Sequence, residues 1–144
     1  MKMTFRHYGN DDPISLEYIA QIPGVTGVMV MMNEWEAGEV WEKDVFQEYV
    51  DKCHAVGLEC EIIESINVHE DIKMGLPSRD KYIENYKQSL RNVAACGVKT
   101  VIYNFMPVFD WVKTELYKVL PDGSNTLAFD QAKVEGLSPR DMVN

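Results

Sequence analysis

Val25-Thr26-Gly27-Val28-Met29-Val30-Met31-Met32 is apolar along almost its whole length. A strand with one face in water alternates apolar and polar residues, and this stretch does not. It therefore reads as a strand covered on both sides, as in a parallel sheet or a barrel.

Similar units flank it. Upstream, Met3 to Tyr8 is β-prone and stops at Gly9. Asp12-Pro13 reads as a helix start, with Asp12 as cap and Pro13 at the first helical position, where a missing N–H costs nothing. Ile14, Tyr18 and Ile22 follow at helical spacing, and Pro23-Gly24 closes the element. Downstream, the polar loop Asn33 to Glu39 leads into a helix expected from Glu42 to Val56. Its apolar stripe is Val45, Tyr49 and Val56, with Phe46, Val50 and Cys53 beside them. Gly57 is placed to cap its C-terminus.

Leu58 to Ile66 is the third expected strand. Pro77-Ser78 opens the next helix, with Ser78 as cap and Asp80 in its first turn. Tyr82, Ile83, Tyr86, Leu90, Val93 and Ala94 are its expected buried face, and Gly97 ends it. Val98 to Phe105 is the fourth strand. Beyond Met106-Pro107 the pattern loosens. Trp111 to Val119 is expected to be a short helix, Pro121-Asp122-Gly123-Ser124 a turn, and Thr126 to Phe129 a short strand or extended loop.

Strands joined by helical crossovers imply parallel neighbours and right-handed connections, hence an α/β fold. From the residues alone, an open doubly wound sheet and part of a (β/α)₈ barrel both remain open. No glycine-rich phosphate loop follows any strand, and Gly9-Asn10-Asp11 lacks the dinucleotide-binding pattern. Ser138-Pro139-Arg140-Asp141 reads as a further helix start, with only three residues after Asp141. So short a remainder cannot carry a helix, and a barrel takes roughly 250 residues. The expectation is one partial domain over residues 1–144, interrupted as a helix begins near 138.

Composition narrows the function. Basic residues number 14 against 23 acidic, a net charge of −9. Phosphate contacts need clustered Lys and Arg, so nucleic acid is excluded as a partner, and anionic membranes are disfavoured likewise. No apolar run approaches the about 20 residues of a membrane span, and Met1 to Arg6 does not resemble a secretory signal. Cys53, Cys60 and Cys96 are odd in number, with no C-x-x-C spacing. They read as small buried hydrophobes in a reducing cytoplasm.

Chemistry in parallel α/β folds sits at the C-terminal ends of the strands. Polar residues gather there: Arg6-His7-Tyr8, Asn33-Glu34, Glu64-Ser65 with His69-Glu70-Asp71 beyond, and Tyr103-Asn104. Plainer readings stand beside each. Arg6 and Tyr8 can end an edge strand; His69-Glu70-Asp71 can be a solvated loop, a helix cap or part of a metal site whose other ligands lie elsewhere. Glu64 is awkward to bury without a partner, and Asn104 within an apolar strand calls for hydrogen bonds. His7 and His54 read as structural or surface groups, Trp35, Trp41 and Trp111 as packing residues, and the acids of Glu34 to Glu42 as a solvated loop.

Several ordered motifs resemble one family. They are Phe5-Arg6-His7-Tyr8-Gly9, Ile22-Pro23-Gly24-Val25-Thr26-Gly27, Gly38-Glu39-Val40-Trp41, Ile63-Glu64-Ser65, Val68-His69-Glu70-Asp71-Ile72-Lys73 and Tyr103-Asn104-Phe105-Met106-Pro107. The chain resembles mannonate dehydratase from Met1 to about Asp130. The resemblance implies the N-terminal half of a TIM-like barrel built of parallel (β/α) units. It implies a carbon–oxygen lyase of hexuronate catabolism, which converts the sugar acid D-mannonate to 2-dehydro-3-deoxy-D-gluconate with Mn²⁺ or Fe²⁺. It further implies that the His, Cys, His and Asp metal ligands and the acid/base groups lie in the C-terminal half. No catalytic residue and no metal ligand is therefore assigned in this chain, which alone is expected to be inactive. Two departures stand out: His7 where the family usually has Trp, and Met32-Asn33-Glu34-Trp35 where a His is common.

The expected substrate-binding residues are Arg6, Tyr8, Glu64, His69 and Asn104. Arg6 would hold the carboxylate bidentately. Tyr8, His69 and Asn104 would hydrogen-bond hydroxyls, and Glu64 would accept from a hydroxyl or orient a metal ligand. The full-length protein is expected to be a homo-oligomer. The half-barrel is expected to leave two open sheet edges and an apolar interior uncovered. The alternatives are another metal-dependent sugar-converting barrel enzyme, such as an isomerase, and a non-catalytic half-barrel assembling with a partner chain.

Overall fold

The computed structural model describes residues 1–106, 112–138 and 140–141. The chain divides into two compact units, Met1–Phe105 and Met106–Asn144.

The first unit holds strands β1 (Met3–His7), β2 (Val25–Val30), β3 (Glu59–Glu64) and β4 (Thr100–Ile102). They form one parallel sheet in the order β1-β2-β3-β4. A doubly wound sheet needs a switch point where strand order reverses, and strict chain order has none. The expectation left open by the residues resolves in favour of the barrel arrangement.

Register separates the two faces. His7 pairs with Val30, Val30 with Ile63, and Ile63 with Val101. This row faces the helices, and His7, Val30 and Ile63 are buried. Helix α1 (Leu16–Ala20) contributes Leu16 and Ile19 to the core. Helix α2 (Lys43–Ala55) contributes Phe46, Tyr49, Val50 and Cys53. A short helix α3 (Glu70–Lys73) precedes α4 (Arg79–Ala95), which contributes Val93. Trp41, Leu58, Cys60 and Cys96 complete this layer. Offset by one residue, Arg6 pairs with Met29, Met29 with Ile62, and Ile62 with Thr100. This row lies on the opposite face, where successive side chains of a strand must alternate. Its centre is apolar and half-buried, and its outer members Arg6 and Thr100 are polar and exposed. The uncovered face is thus apolar at its centre and polar at its outer positions.

The first helix starts later than the sequence pattern suggests. The Asp12 carboxylate accepts from the N–H groups of Tyr8 (2.7 Å) and Ile14 (2.8 Å), tying a 3-10 turn at Gly9–Asp11. Ser15 is the cap, accepting from the Tyr18 N–H. The buried positions are consequently Leu16 and Ile19, while Ile14, Tyr18 and Ile22 lie on the exposed side. Val45 of α2 and Ala94 of α4 are also exposed. Ser78 precedes α4 but does not cap it by its side chain; its hydroxyl donates to Asp71 instead. β4 is three residues long, so Tyr103, Asn104 and Phe105 lie beyond its end.

The second unit carries an antiparallel pair, β5 (Glu115–Val119) and β6 (Asn125–Ala128). The helix expected over Trp111 to Val119 is a strand from Glu115 to Val119, and Trp111 lies outside the described residues. Pro121-Asp122-Gly123-Ser124 is the turn joining the strands. The Leu120 N–H donates to the Ser124 carbonyl (2.8 Å), and Asp122 Oδ1 accepts from the Ser124 N–H and hydroxyl. Near the end, Asp141 Oδ2 accepts from both the Ser138 N–H (3.0 Å) and hydroxyl (2.6 Å). Pro139 and residues 142–144 lie outside the described residues, and with them the helix expected there. No helix among the described residues is long and apolar enough to cross a membrane.

Candidate substrate-binding site

Arg6 is the penultimate residue of β1, and Glu64 ends β3. Both lie on the sheet face away from the helices. Arg6 Nη1 donates to Glu64 Oε2 at 3.3 Å. Arg6 Nη2 lies 3.7 Å from Met31 Sδ, just past the end of β2. The Arg6 guanidinium carbon sits 5.0 Å from the centre of the Tyr8 ring, within cation–π range. Arg6 and Glu64 are both partly exposed, so their pairing contributes little stability. Its consequence is orientation: a guanidinium has five N–H donors, and these contacts hold it while leaving donors for an incoming carboxylate.

At the other end of the same face, Lys2 pairs with Glu61. The face therefore carries two cation–carboxylate pairs, one cation within β1 and one just before it, each meeting a carboxylate of β3. Glu61 belongs to an irregular step in the β2–β3 register, between Val28 and Met29.

His69 is a second focus. It caps α3, its Nδ1 accepting from the Asp71 N–H at 3.1 Å. Its ring stacks on Tyr82 with centroids 3.6 Å apart and planes 12° from parallel. Trp35, Gly38, Trp41, Ile66 and Tyr86 share the cleft with this pair. Trp35 stacks on Trp41 at 4.8 Å, and Trp41 meets Phe46 at 6.0 Å. These two tryptophans are packing groups, as the sequence suggests.

The structure thus brings Arg6, Tyr8 and Glu64 together. His69 joins Tyr82 and Gly38 in the neighbouring cleft. Asn104 lies two residues past β4, exposed, and its side chain has no hydrogen bond among the described residues. Met31, Tyr82, Gly38 and the Lys2–Glu61 pair escape sequence reasoning. Period-two alternation places Lys2, Thr4, Arg6 and Tyr8 on one face, and that signal was available. The partners across the sheet needed the register.

The remaining ionisable groups are structural. His7 is buried between Tyr49 (Nδ1 to hydroxyl, 2.6 Å) and the Ile14 carbonyl (Nε2, 3.1 Å). A carbonyl only accepts, so Nε2 carries the proton and Nδ1 accepts from the Tyr49 hydroxyl. Cys53, Cys60 and Cys96 are free and buried. Burial pushes the Cys53 thiol up to about 11, and burial raises Cys60 and Cys96 as well. His54 is exposed beside Glu59 at 3.3 Å. Among the described residues no group of three or more His, Cys, Asp or Glu side chains is gathered to hold a metal ion.

Comparison with known proteins places the chain. The profile of the D-mannonate dehydratase (UxuA) family matches residues 1–144. A mannonate dehydratase of Lachnoclostridium phytofermentans is 54% identical over 145 residues, covering 99% of this chain and 40% of the relative. One of Shouchella clausii is 51% identical over 144 residues, with the same coverage. The crystal structure of mannonate dehydratase from Streptococcus suis serotype 2 superposes with a TM-score of 0.90 at 48% identity, over 97% of this chain and 40% of that one. The chain spans about two fifths of the length of these relatives. It belongs to the D-mannonate dehydratase family.

Proposed function

We propose that this chain supplies the first four strands of a mannonate dehydratase barrel, and with them part of the wall that binds the sugar acid. The observation carrying this reading is the Arg6–Glu64–Tyr8 cluster at the C-terminal ends of β1 and β3, on either side of β2, in a chain matched by the family throughout. The substrate is D-mannonate, and the product 2-dehydro-3-deoxy-D-gluconate.

Arg6 receives the carboxylate. Its guanidinium is already oriented by Glu64 and the Tyr8 ring, so little ordering remains for the substrate to impose. Glu64 accepts from a substrate hydroxyl near Arg6. Tyr8, His69 and Asn104 hydrogen-bond further hydroxyls along the chain of the sugar acid. Two carboxylates competing for one guanidinium repel each other, so the substrate carboxylate takes the donors that Glu64 leaves. The divalent metal of the family reading, Mn²⁺ or Fe²⁺, takes its ligands from outside the described residues. The setting is hexuronate catabolism in a reducing cytoplasm, with the enzyme a homo-oligomer. The 144 residues alone bind and orient but do not turn over.

The test joins this chain to the remaining three fifths of the Lachnoclostridium relative and supplies Mn²⁺ or Fe²⁺. Formation of 2-dehydro-3-deoxy-D-gluconate from D-mannonate is expected. A folded, metal-loaded chimera that leaves D-mannonate unchanged overturns the reading.

A further inference from the structure

His69 has a defined protonation geometry. The Asp71 N–H can only donate, so His69 Nδ1, 3.1 Å away, must accept. In the neutral ring the proton then sits on Nε2. No described residue lies within hydrogen-bonding distance of Nε2, and none of the described buried side-chain nitrogens lacks a partner. With the side chain 24% exposed, Nε2 is therefore reached by solvent. Among the described residues it is an N–H donor without a protein acceptor.

The ring is also clamped. Tyr82 covers one face at 3.6 Å. Gly38, at φ +90°, lies against the edge of the stack: a Cβ there would fall 2.6 Å from Tyr82 Cδ1 and 2.8 Å from His69 Cδ2. Only glycine tolerates both that backbone conformation and that proximity. Gly38 is in turn tied to α4. The Asn85 side-chain amide donates to the Gly38 carbonyl at 2.8 Å. Ser89 accepts from the Trp41 N–H at 3.0 Å, and Asn92 donates to the Trp41 carbonyl at 2.7 Å. These three residues are spaced four and three apart, on one helix face. The groups around the ring are thus the Asp71 carboxylate (3.6 Å from Nδ1), which Ser78 also engages, the Tyr82 ring, and the loop acids Glu36 and Glu39 that line the same cleft.

We propose that His69 is a fixed Nε2–H donor to an acceptor oxygen of the bound sugar acid, and that Tyr82 and Gly38 are the positioning residues holding it in that state. The proposal rests on the dehydratase reading for the identity of the acceptor, and on this geometry for the donor.

Two measurements separate these supports. In the 144-residue chain, long-range ¹⁵N–¹H spectra at about pH 8, above the ordinary imidazole range, report the tautomer. The wild type and Tyr82→Phe are expected to show a single Nε2–H form. Tyr82→Leu, which removes the stack, is expected to show a mixture of tautomers. A proton on Nδ1 in the wild type, or an unmixed Nε2–H form in Tyr82→Leu, overturns the positioning role. In the chimera, His69→Gln keeps an N–H near the Nε2 position, whereas His69→Asn places its amide near Nδ1. His69→Asn is expected to lower kcat/KM about tenfold, as loss of one hydrogen bond does, and His69→Gln to restore most of it. Equal losses in both overturn the donor role. If the spectra show the fixed tautomer while the wild-type chimera ignores D-mannonate, the clamp stands and the dehydratase reading fails.

Discussion

Gly27→Ala tests the sheet at its tightest point. Gly27 lies in β2, between Thr4 of β1 and Glu59 of β3. A Cβ on Gly27 would sit 2.5 Å from the Glu59 carbonyl oxygen and 2.8 Å from Glu61 Cγ. The Glu61 side chain can swing aside, but the Glu59 carbonyl is backbone held in the ladder. Relief therefore requires β2 and β3 to separate. Overpacking of this kind costs about 1–3 kcal/mol, and a backbone obstacle puts it at the upper end. For a unit of this size that lowers the melting temperature by roughly 10–20 °C. Gly57→Ala is the comparison. Gly57 has φ +81° and nothing within 4 Å of a Cβ, so it measures the backbone conformation alone, about 1–2 kcal/mol. Thermal and urea unfolding followed by circular dichroism distinguish the two. A Gly27→Ala protein that melts within about two degrees of wild type, or above Gly57→Ala, refutes the steric argument and the β2–β3 register with it.

Other outcomes follow from the same contacts. Tyr49→Phe leaves the buried His7 Nδ1 without its donor, and urea unfolding should show a loss of about 1–3 kcal/mol. Alkaline titration should destabilise the fold. The Cys53 thiol lies near 9.0 when unfolded and near 11 when buried, so the native state holds the proton longer, and the stabilisation present below pH 9.0 is lost as pH rises toward 11. Stability that is flat across this window would contradict the buried placement of the thiol. In the chimera, Arg6→Ala should lower kcat/KM for D-mannonate roughly tenfold to a hundredfold, the range for a charge-assisted hydrogen bond. Glu64→Ala and His69→Ala should each cut turnover sharply, and wild-type kinetics in both would remove these residues from the site.

The parallel sheet was legible because its cause is local. Val25 to Val30 cannot sit at a half-solvated surface, and Gly57 and Gly97 mark where helices end and strands begin. The residues alone left the barrel order open; the family resemblance implied it, and the sheet places each strand beside its predecessor. The first helix was misplaced because Asp12-Pro13 carries the same chemistry as a helix start. The structure uses the Asp12 carboxylate to tie a tighter turn instead, and Ser15 three residues on takes the cap. Glu115 to Val119 was misread for a different reason. A five-residue apolar–polar run fits both periods, and only its mate across the Asp122-Gly123 turn identifies it as a strand. At the candidate site, strand-end position pointed to Arg6 and Glu64 separately. Their contact spans 58 residues of sequence, and no local pattern encodes a pairing across β2. Tyr82 looked like one more core position of α4, because stacking on His69 leaves no mark in periodicity.

The ties from Asn85, Ser89 and Asn92 to the loop before α2 also bear on the order of assembly. That loop is anchored in the core by Trp41, and its Gly38 carbonyl, Trp41 N–H and Trp41 carbonyl find their partners on a helix more than 40 residues further along. These three bonds cannot form until α4 has docked. The Trp41 amide, bonded to the buried Ser89 hydroxyl, is thus a built-in reporter: its hydrogen-exchange protection should appear with docking of α4 rather than with formation of α2, which adjoins it in sequence.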